Sequence, residues 1–231
     1  VGERTVSRRS DVVEPLFEKF QDLEPLELTV DSASGERGRV SELSDAAVRA
    51  EFPSAETAIH FDHASVGPIS RRVAEAMQRV CSDYAERGFV ETWRAEIEDV
   101  RRLAAALVGS TPGNIAFTQN TSTGLSIAAN GLDWRSGDNV VLAEREFPSN
   151  YYPWMNLEPR GVHLRRVAAP EGHASVDEIA GAIDERTRVV TVSAVQFSNG
   201  HRYDLDAIGR LCQERGVLFV VDGTQSVGGL T

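Results

Sequence analysis

The stretch VLFVVDGTQSVGG, residues 217–229, decides the fold class of this chain. Its first five residues are apolar and mostly β-branched or aromatic, which is typical of a strand buried on both faces. Asp222 follows this strand directly, and a glycine-rich loop comes after it. A carboxylate at the end of a buried strand is costly unless another group pairs with it. A helix cap or a metal ligand are the simplest roles for Asp222, although no cluster of His or Cys supports a metal.

Strands and helices alternate at steady spacing before this stretch. The predicted strands are 59–62, 114–118, 139–143, 162–167, 188–195 and 217–221, and the predicted helices are 45–52, 71–87, 92–108, 122–129, 148–158, 175–184 and 205–214. From 114 onward this alternation indicates an α/β fold with a mostly parallel sheet and crossover helices. In such folds ligands bind beyond the carboxyl ends of the strands.

The composition narrows the class of protein and of partner. The chain has 231 residues, a formal net charge of −11 and two cysteines. An acidic surface repels phosphate backbones, so we expect no nucleic-acid partner. No apolar run approaches the roughly 20 residues that span a bilayer, and no signal segment opens the chain, so we expect a cytoplasmic protein with no membrane partner. Residues 1–44 are charge-rich and weakly periodic, which predicts a mobile N-terminal tail before a folded region at 45–231.

Two other strand ends carry residues suited to a ligand. Thr121 and Ser122 stand where the strand at 114–118 meets the next helix, so their hydroxyls and the backbone amides there could bind an anion. Ordinary helix capping explains the same residues and is the simpler interpretation of this stretch alone. The stretch EREFPSNYYPW, residues 144–154, has four aromatics that could line a pocket for a flat ligand. Ordinary packing at the start of a helix explains that stretch equally well.

Five segments taken together are more specific than any one of them. They are FDHASVGP at 61–68, IAFTQNTSTG at 115–124, EFPSNYYPW at 146–154, SAVQFSNG at 193–200 and VVDGTQSVGG at 220–229. In this order they resemble the class V aminotransferase family of the fold-type I pyridoxal-phosphate enzymes, which includes cysteine desulfurases and isopenicillin N epimerase-like proteins. The resemblance covers 45–231. It implies a three-layer α/β large domain around a mostly parallel sheet, present here as its N-terminal part.

The resemblance also assigns roles by position. It implies that the cofactor is pyridoxal 5′-phosphate and that Thr121 and Ser122 hold its phosphate. It implies that Asp222 pairs with the pyridine nitrogen, which keeps that nitrogen protonated and the ring able to accept electrons. Gln196 and Gln225 match the positions that reach the phenolic oxygen of the cofactor.

Phe147 matches the residue that stacks on the cofactor ring. Cysteine desulfurases carry a histidine there, and a phenyl ring can stack but cannot move protons. This difference favours the epimerase-like subgroup over a dedicated desulfurase, without excluding one. His63 is a candidate for the substrate side of the pocket, from its place in the segment 61–68. The substrate that the resemblance implies is an amino acid, with epimerase, aminotransferase or lyase/desulfurase chemistry at its alpha carbon.

The Schiff-base lysine of the family has no counterpart in this chain. Lys19 is the only lysine and lies in the tail, where an ordinary solvated side chain is expected. We therefore expect the chain to be the cofactor-cradling half of an enzyme that is a homodimer at full length. The alternative is a non-catalytic fragment that binds the cofactor weakly or dimerises with a full-length partner.

The remaining candidates are weaker. His60, Asp62 and His63 could suggest a metal site, but side chains that alternate along a short strand point to opposite faces, so we expect no bound metal. Cys81 and Cys212 fall on apolar helix faces, and we expect both in the core.

Overall fold

The structure is a computed structural model that describes residues 45–63, 65–88 and 92–229. The predicted tail at 1–44 lies outside the described residues, so its mobility stays a prediction. The chain divides into two units, Val1–Ala50 and Glu51–Thr231. The described part of the first unit contains the short helix α1 (Asp45–Ala50). The sheet and the other helices belong to the second unit.

Four parallel strands form one sheet in the described part of the chain. They are β1 (Asn139–Ala143), β2 (His163–Val167), β3 (Thr187–Ser193) and β4 (Leu218–Asp222), in the order β2-β1-β3-β4. Every residue of β1 is buried, and so is nearly all of β3, so these two strands form the covered centre of the sheet. The last residues of β3 and β4, Ser193 and Asp222, are register partners. The predicted parallel sheet is confirmed.

Six helices accompany the sheet in the described part of the second unit. They are α2 (Arg71–Arg87), α3 (Thr92–Leu107), α4 (Thr121–Gly131), α5 (Tyr152–Met155), α6 (Val176–Ala182) and α7 (Leu205–Arg215). Capping residues set several of these boundaries: the Ser70 hydroxyl accepts the Val73 N–H at 3.3 Å, and the Asp204 carboxylate accepts the Ala207 N–H at 2.9 Å. No described helix is both long enough and apolar enough to cross a membrane.

Side chains from the two faces of the sheet enter two separate cores. The first core joins the sheet to α6 and α7 and contains Val141, Ala143, Val190, Val192, Ile179, Ile208 and Cys212. The second joins the sheet to α4 and α5 and contains Val140, Val189, Leu125, Ala129 and Trp154. Because neighbouring residues of a strand point to opposite faces, β1 and β3 each contribute to both cores. The result is the three-layer α/β arrangement that the sequence predicts.

The predicted helix at 148–158 is wrong as a single element. The structure has a 3-10 turn at Pro148–Asn150, the short α5, and a second 3-10 turn at Glu158–Arg160. Pro148, Pro153 and Pro159 divide this segment. Because proline lacks a backbone N–H and fits only the first turn of a helix, each of them starts a new short element.

Two predicted strands are absent from the described structure. Residues 59–62 pair with no other strand there, and in the predicted strand 114–118 Asn114 ends a 3-10 turn at Pro112–Asn114 while 115–118 are unpaired. Ile115 does have extended backbone angles, but its carbonyl accepts a hydrogen bond from the Arg101 guanidinium. The same guanidinium lies over the Phe117 ring, 5.0 Å from its centroid. An apolar, β-branched pattern predicts an extended backbone, and a strand also needs a neighbour to pair with.

The two cysteines lie in different surroundings. Cys212 is buried, as predicted, and burial raises the pKa of its thiol to about 11. Cys81 is exposed, so its predicted place in the core is wrong. The apolar face of α2 that carries it remains open to solvent in the described structure, with exposed fractions of 41–66% for Val73, Met77, Val80 and Tyr84. Helical periodicity identified an apolar face correctly but could not show what covers it.

We expect alanine substitutions at two glycines, one at a helix end and one inside a helix, to change the free energy of unfolding in opposite directions. Gly216 ends α7 with a φ of 64°, and a Cβ in that left-handed conformation costs about 1 kcal/mol. Gly181 lies inside α6, and a Cβ built there meets nothing within 4 Å. We expect Gly216→Ala to lower the free energy of unfolding by about 1 kcal/mol, and Gly181→Ala to raise it by up to about 1 kcal/mol. Urea unfolding followed by circular dichroism measures both, and a change of the same sign in the two variants would contradict this account.

Candidate functional site

A cavity of about 240 Å³ lies at the carboxyl ends of β3 and β4. It stands where the strand-end rule for α/β sheets predicts a ligand site. Its wall consists of Ser65, Asn120, Thr121, Ser122, Phe147, Ser149, Ser193, Val195, Phe197, Asp222, Thr224 and Gln225. Five segments that are far apart in the chain therefore meet here.

The start of α4 forms one side of the cavity. Asn120 caps this helix, because its side-chain oxygen accepts the Thr123 N–H at 2.9 Å. Thr121 and Ser122 are therefore not the cap, so the simpler interpretation of these residues as helix caps is wrong. Within the described residues, the backbone N–H groups of Thr121 and Ser122 have no acceptor. Unpaired amides at the start of a helix, together with two hydroxyls, are suited to an anion.

Asp222 forms the opposite side of the cavity, at the end of β4. The residue is only 6% exposed. One oxygen accepts the Thr224 N–H at 3.0 Å, and the other accepts the Ser149 hydroxyl at 3.4 Å. Both donors are neutral, and none of the ion pairs found among the described residues involves Asp222. A ligand that carries a positive charge or an N–H donor would pair with this carboxylate.

The loop after β4 connects the two sides. The hydroxyls of Thr121 and Thr224 lie 3.2 Å apart, so a hydrogen bond joins the start of α4 to this loop. Gly223 lies close to the residues that follow it, because a Cβ built there would be 2.9 Å from the Val227 side chain. The glycine after Asp222 in the sequence therefore allows the loop to fold tightly beside the carboxylate.

A second buried carboxylate, Glu146, lies behind the cavity wall and is 8% exposed. One oxygen accepts the Ser193 backbone N–H at 2.9 Å and the Gln196 side-chain amide at 3.1 Å. The other accepts the Ser193 hydroxyl at 2.6 Å and the Asn150 side-chain amide at 3.0 Å. Burial raises the pKa of Glu146, and the nearby Asp222 carboxylate adds to the rise, while hydrogen bonds from Ser193 and Asn150 oppose it.

Two phenyl rings form the apolar part of the wall. Phe147 is 44% exposed, and its ring meets that of Phe197 edge to face, with centroids 5.0 Å apart and planes at 77°. Val195 lies beside them on the wall. Together they could cover a flat ring between the anion-binding side and the carboxylate.

Most of the predicted site residues come together in this cavity. Thr121, Ser122, Phe147, Asp222 and Gln225 all lie on its wall. Their roles toward a cofactor stay predictions, but their convergence from distant segments agrees with them.

Gln196 and His63 do not lie on the cavity wall. Gln196 is 1% exposed, is absent from the cavity wall and donates its amide to Glu146. Its neighbours Val195 and Phe197 face the cavity, so the alternation of an extended backbone turns Gln196 away from it. His63 is exposed and also absent from the wall, and its ring lies 4.6 Å from the His60 ring. Among the described residues, no group of three or more His, Cys, Asp or Glu could hold a metal ion.

Sequence reasoning missed several residues of the site. Asn120, Ser149, Ser193, Thr224 and Glu146 were not singled out, although each lies in or beside a segment that was. Ser193 and Thr224 could have been found from their places at the ends of β3 and β4. Nothing in the sequence indicates that Glu146 accepts four hydrogen bonds, because three of them come from Ser193 and Gln196, which are distant in the sequence.

The model of the family described as Aminotransferase class-V matches residues 59–231. The chain belongs to this family. It is 36% identical over 189 residues to a probable cysteine desulfurase of Methanothermobacter thermautotrophicus, covering 78% of this chain and 47% of that protein. It is 29% identical over 191 residues to a probable cysteine desulfurase of Pyrococcus abyssi, with 78% and 47% covered. The chain thus spans about half the length of the curated relatives it matches.

Solved structures of similar fold agree with this assignment. A mutant of C-DES with glycine covalently linked to its PLP cofactor superposes with a TM-score of 0.71 at 25% identity, covering 79% of this chain and 51% of that chain. The apo cysteine desulfurase of Thermococcus onnurineus NA1 gives a TM-score of 0.71 at 25% identity, with 80% and 48% covered. The predicted family and fold class are confirmed.

The raised pKa of Glu146 predicts how stability depends on pH. Between its ordinary value and the higher folded-state pKa, the folded chain holds more protons than the unfolded chain. The stability from this group is therefore complete at acidic pH and is lost as the pH rises through the folded-state pKa. We expect the unfolding free energy of the parent chain minus that of Glu146→Gln to be largest near about pH 4 and to fall toward about pH 8.

Urea unfolding across this pH range measures the difference. Glu144→Gln is the matched control, since Glu144 is exposed two residues earlier in the same loop. Its difference from the parent chain should stay nearly constant. A Glu146→Gln difference that is constant or rises with pH would show that burial does not raise this pKa.

Proposed function

We propose that the cavity binds pyridoxal 5′-phosphate and that this chain is the cofactor-holding part of an enzyme that acts on an amino acid. The observation that carries the proposal is the pairing of two unlike sides in one cavity. The unpaired amides of Thr121 and Ser122 suit a phosphate, and the buried Asp222 carboxylate suits a protonated ring nitrogen. Membership of the class V family and the cofactor in the C-DES structure support the proposal.

Each part of the wall would then have one task. Thr121 and Ser122 would bind the phosphate, and Asp222 would keep a proton on the ring nitrogen. Phe147 and Phe197 would cover the ring and exclude water from it. When bound, the group supplies an electron-poor ring that draws electrons from the bonds of the substrate's alpha carbon.

The reaction proposed is bond cleavage at the alpha carbon of an amino acid. The relatives named as cysteine desulfurases favour cysteine as the substrate and loss of its sulfur. Phe147 favours an epimerase-like reaction instead, because a phenyl ring cannot move the protons that a histidine would. Comparing turnover of cysteine with racemisation of other amino acids by a full-length form would decide between them. A homodimer at full length and a cytoplasmic location also stay predictions.

Binding of pyridoxamine 5′-phosphate to this chain tests the proposal. This probe carries an amine where the cofactor has an aldehyde, so it cannot react with Lys19. We expect Asp222→Asn to weaken its binding about tenfold, because a charge-assisted hydrogen bond to the ring nitrogen is lost. Fluorescence titration of the probe gives the dissociation constants.

Asp206→Asn is the matched control. Asp206 is exposed in α7, and its replacement removes the same charge. We expect it to bind the probe as the parent chain does. Failure of the parent chain to bind the probe, or equal affinity in the Asp222→Asn variant, would contradict the proposed function.

A further inference from the structure

We propose that Glu146 is a positioning residue that turns the Ser193 hydroxyl proton away from the cavity, so that the Ser193 and Ser149 oxygens beside Asp222 accept hydrogen bonds from a ligand and do not donate them. The cavity would thereby select a ligand whose ring nitrogen carries a proton. This inference rests on the proposed function, since it concerns how the same cavity recognises one atom of its ligand.

The argument begins with the two serines beside Asp222. Ser149 and Ser193 both line the cavity, and each hydroxyl has a single proton. Ser149 donates its proton to Asp222 at 3.4 Å, and Ser193 donates its proton to Glu146 at 2.6 Å. With both protons directed to carboxylates, the two oxygens can offer only lone pairs to a ligand. Ser193 is also the register partner of Asp222, so its oxygen stands next to that carboxylate.

The orientation of the Asn150 amide beside Glu146 is fixed by its other contacts. The Asn150 side-chain oxygen accepts the Thr191 hydroxyl at 2.6 Å and the Trp154 indole N–H at 3.4 Å. Its NH₂ group must therefore face Glu146, as it does at 3.0 Å. Two amides, one hydroxyl and one backbone N–H thus all donate to a single carboxylate.

Four donors around one carboxylate favour its ionised form and oppose the burial that raises its pKa. A protonated Glu146 would direct an O–H at a group that is itself a donor, and one of the four hydrogen bonds would be lost. The titratable groups that act on Glu146 across this network are Asp222 at the end of β4 and the Tyr203 phenol. The first repels the charge of Glu146, so the hydrogen bonds are what sustain it.

Glutamine at this position would change the Ser193 hydroxyl from an acceptor to a donor toward the cavity. Its amide oxygen would stay opposite the Ser193 backbone N–H, which cannot rotate, so its NH₂ group would replace the oxygen that accepts the Ser193 hydroxyl, and that hydroxyl would lose its acceptor. That hydroxyl would then be free to donate into the cavity, toward the ring N–H that Asp222 is expected to bind. A merely structural role for Glu146 would weaken every ligand alike, whereas this role weakens only a ligand with a protonated ring nitrogen.

The experiment compares two probes on the 231-residue chain. One is pyridoxamine 5′-phosphate, and the other is its analogue with a benzene ring in place of the pyridine, which keeps the amine and the phosphate. We expect Glu146→Gln to lower the preference for the pyridine probe about tenfold and to leave the affinity for the benzene analogue unchanged. Glu144→Gln, in the same loop but exposed, should keep the preference of the parent chain.

Two further measurements apply if Glu146→Gln does not fold. Ser193→Ala removes the oriented oxygen while the backbone N–H of residue 193 still bonds to Glu146, and it should also lower the preference. The ¹³C resonance of the Glu146 carboxyl in the ligand-free chain should show an ionised group at neutral pH. It can be assigned by its shift in the Ser193→Ala variant.

The outcomes separate this inference from the proposed function. An unchanged preference in Glu146→Gln or Ser193→Ala, or a protonated Glu146 at neutral pH, would overturn the inference and leave the proposed function intact. Binding of both probes with equal affinity by the parent chain would overturn the inference and, with it, the proposed pairing of Asp222 with the ring nitrogen. If the parent chain binds neither probe, the proposed function fails and the inference fails with it.

Discussion

Asp222 and Glu146 are almost completely buried and lie close together at the carboxyl end of the sheet. No ion pair found among the described residues neutralises either of them. Burying a charge is costly, and a second charge of the same sign raises that cost further. The structure offsets the cost with neutral donors, two for Asp222 and four for Glu146. These donors come from β3, from the loops after β1 and β4, and from the segment after β3.

This arrangement depends on the register between β3 and β4. Ser193 can donate to Glu146 and stand beside Asp222 only because β3 and β4 are parallel and end at the same level. A shift of one residue would turn Ser193 to the other face and replace its hydroxyl with a valine or an alanine side chain. The apolar interior of β1 and β3 fixes the register through the two cores, so the packing of the sheet and the chemistry of the cavity depend on each other.

The sequence predicted those features that local pattern determines. The central strands, the long helices and the strand-end position of Asp222 follow from periodicity and from residue type, and the structure has them. Helix 148–158 and strand 114–118 failed for other reasons: three prolines divide the first, and the second lacks a partner among the described residues. Cys81 was misplaced because periodicity reveals an apolar face and not its neighbour.

The site could be predicted at the level of segments but only partly at the level of side chains. Thr121, Phe147 and Asp222 were found because they follow predicted strands, one of which (114–118) the structure lacks, and a family resemblance ordered them. The position of Gln196 depends on which way an extended segment faces, and the bridge between Val195 and Arg202 sets that direction after the chain folds. Glu146 escaped notice because its importance lies in four contacts, three of them with Ser193 and Gln196, which are about fifty positions away in the sequence.

The residues on the cavity wall are suited to binding the cofactor, but they do not provide the groups that transfer protons in the reaction. Among its described residues, Asp222 is the one with a carboxyl or other titratable side chain, and its proposed task is to hold a proton on the ring. By its resemblance to the family, Phe147 matches the position at which cysteine desulfurases carry a histidine, and a histidine could move protons there. Glu146 is separated from the cavity by Ser193. The described residues can therefore position a cofactor and adjust its electrons, while proton transfer at the substrate requires a group that is not on this wall. Because such a group distinguishes a desulfurase from an epimerase, the part of the site that binds the cofactor does not by itself determine the reaction.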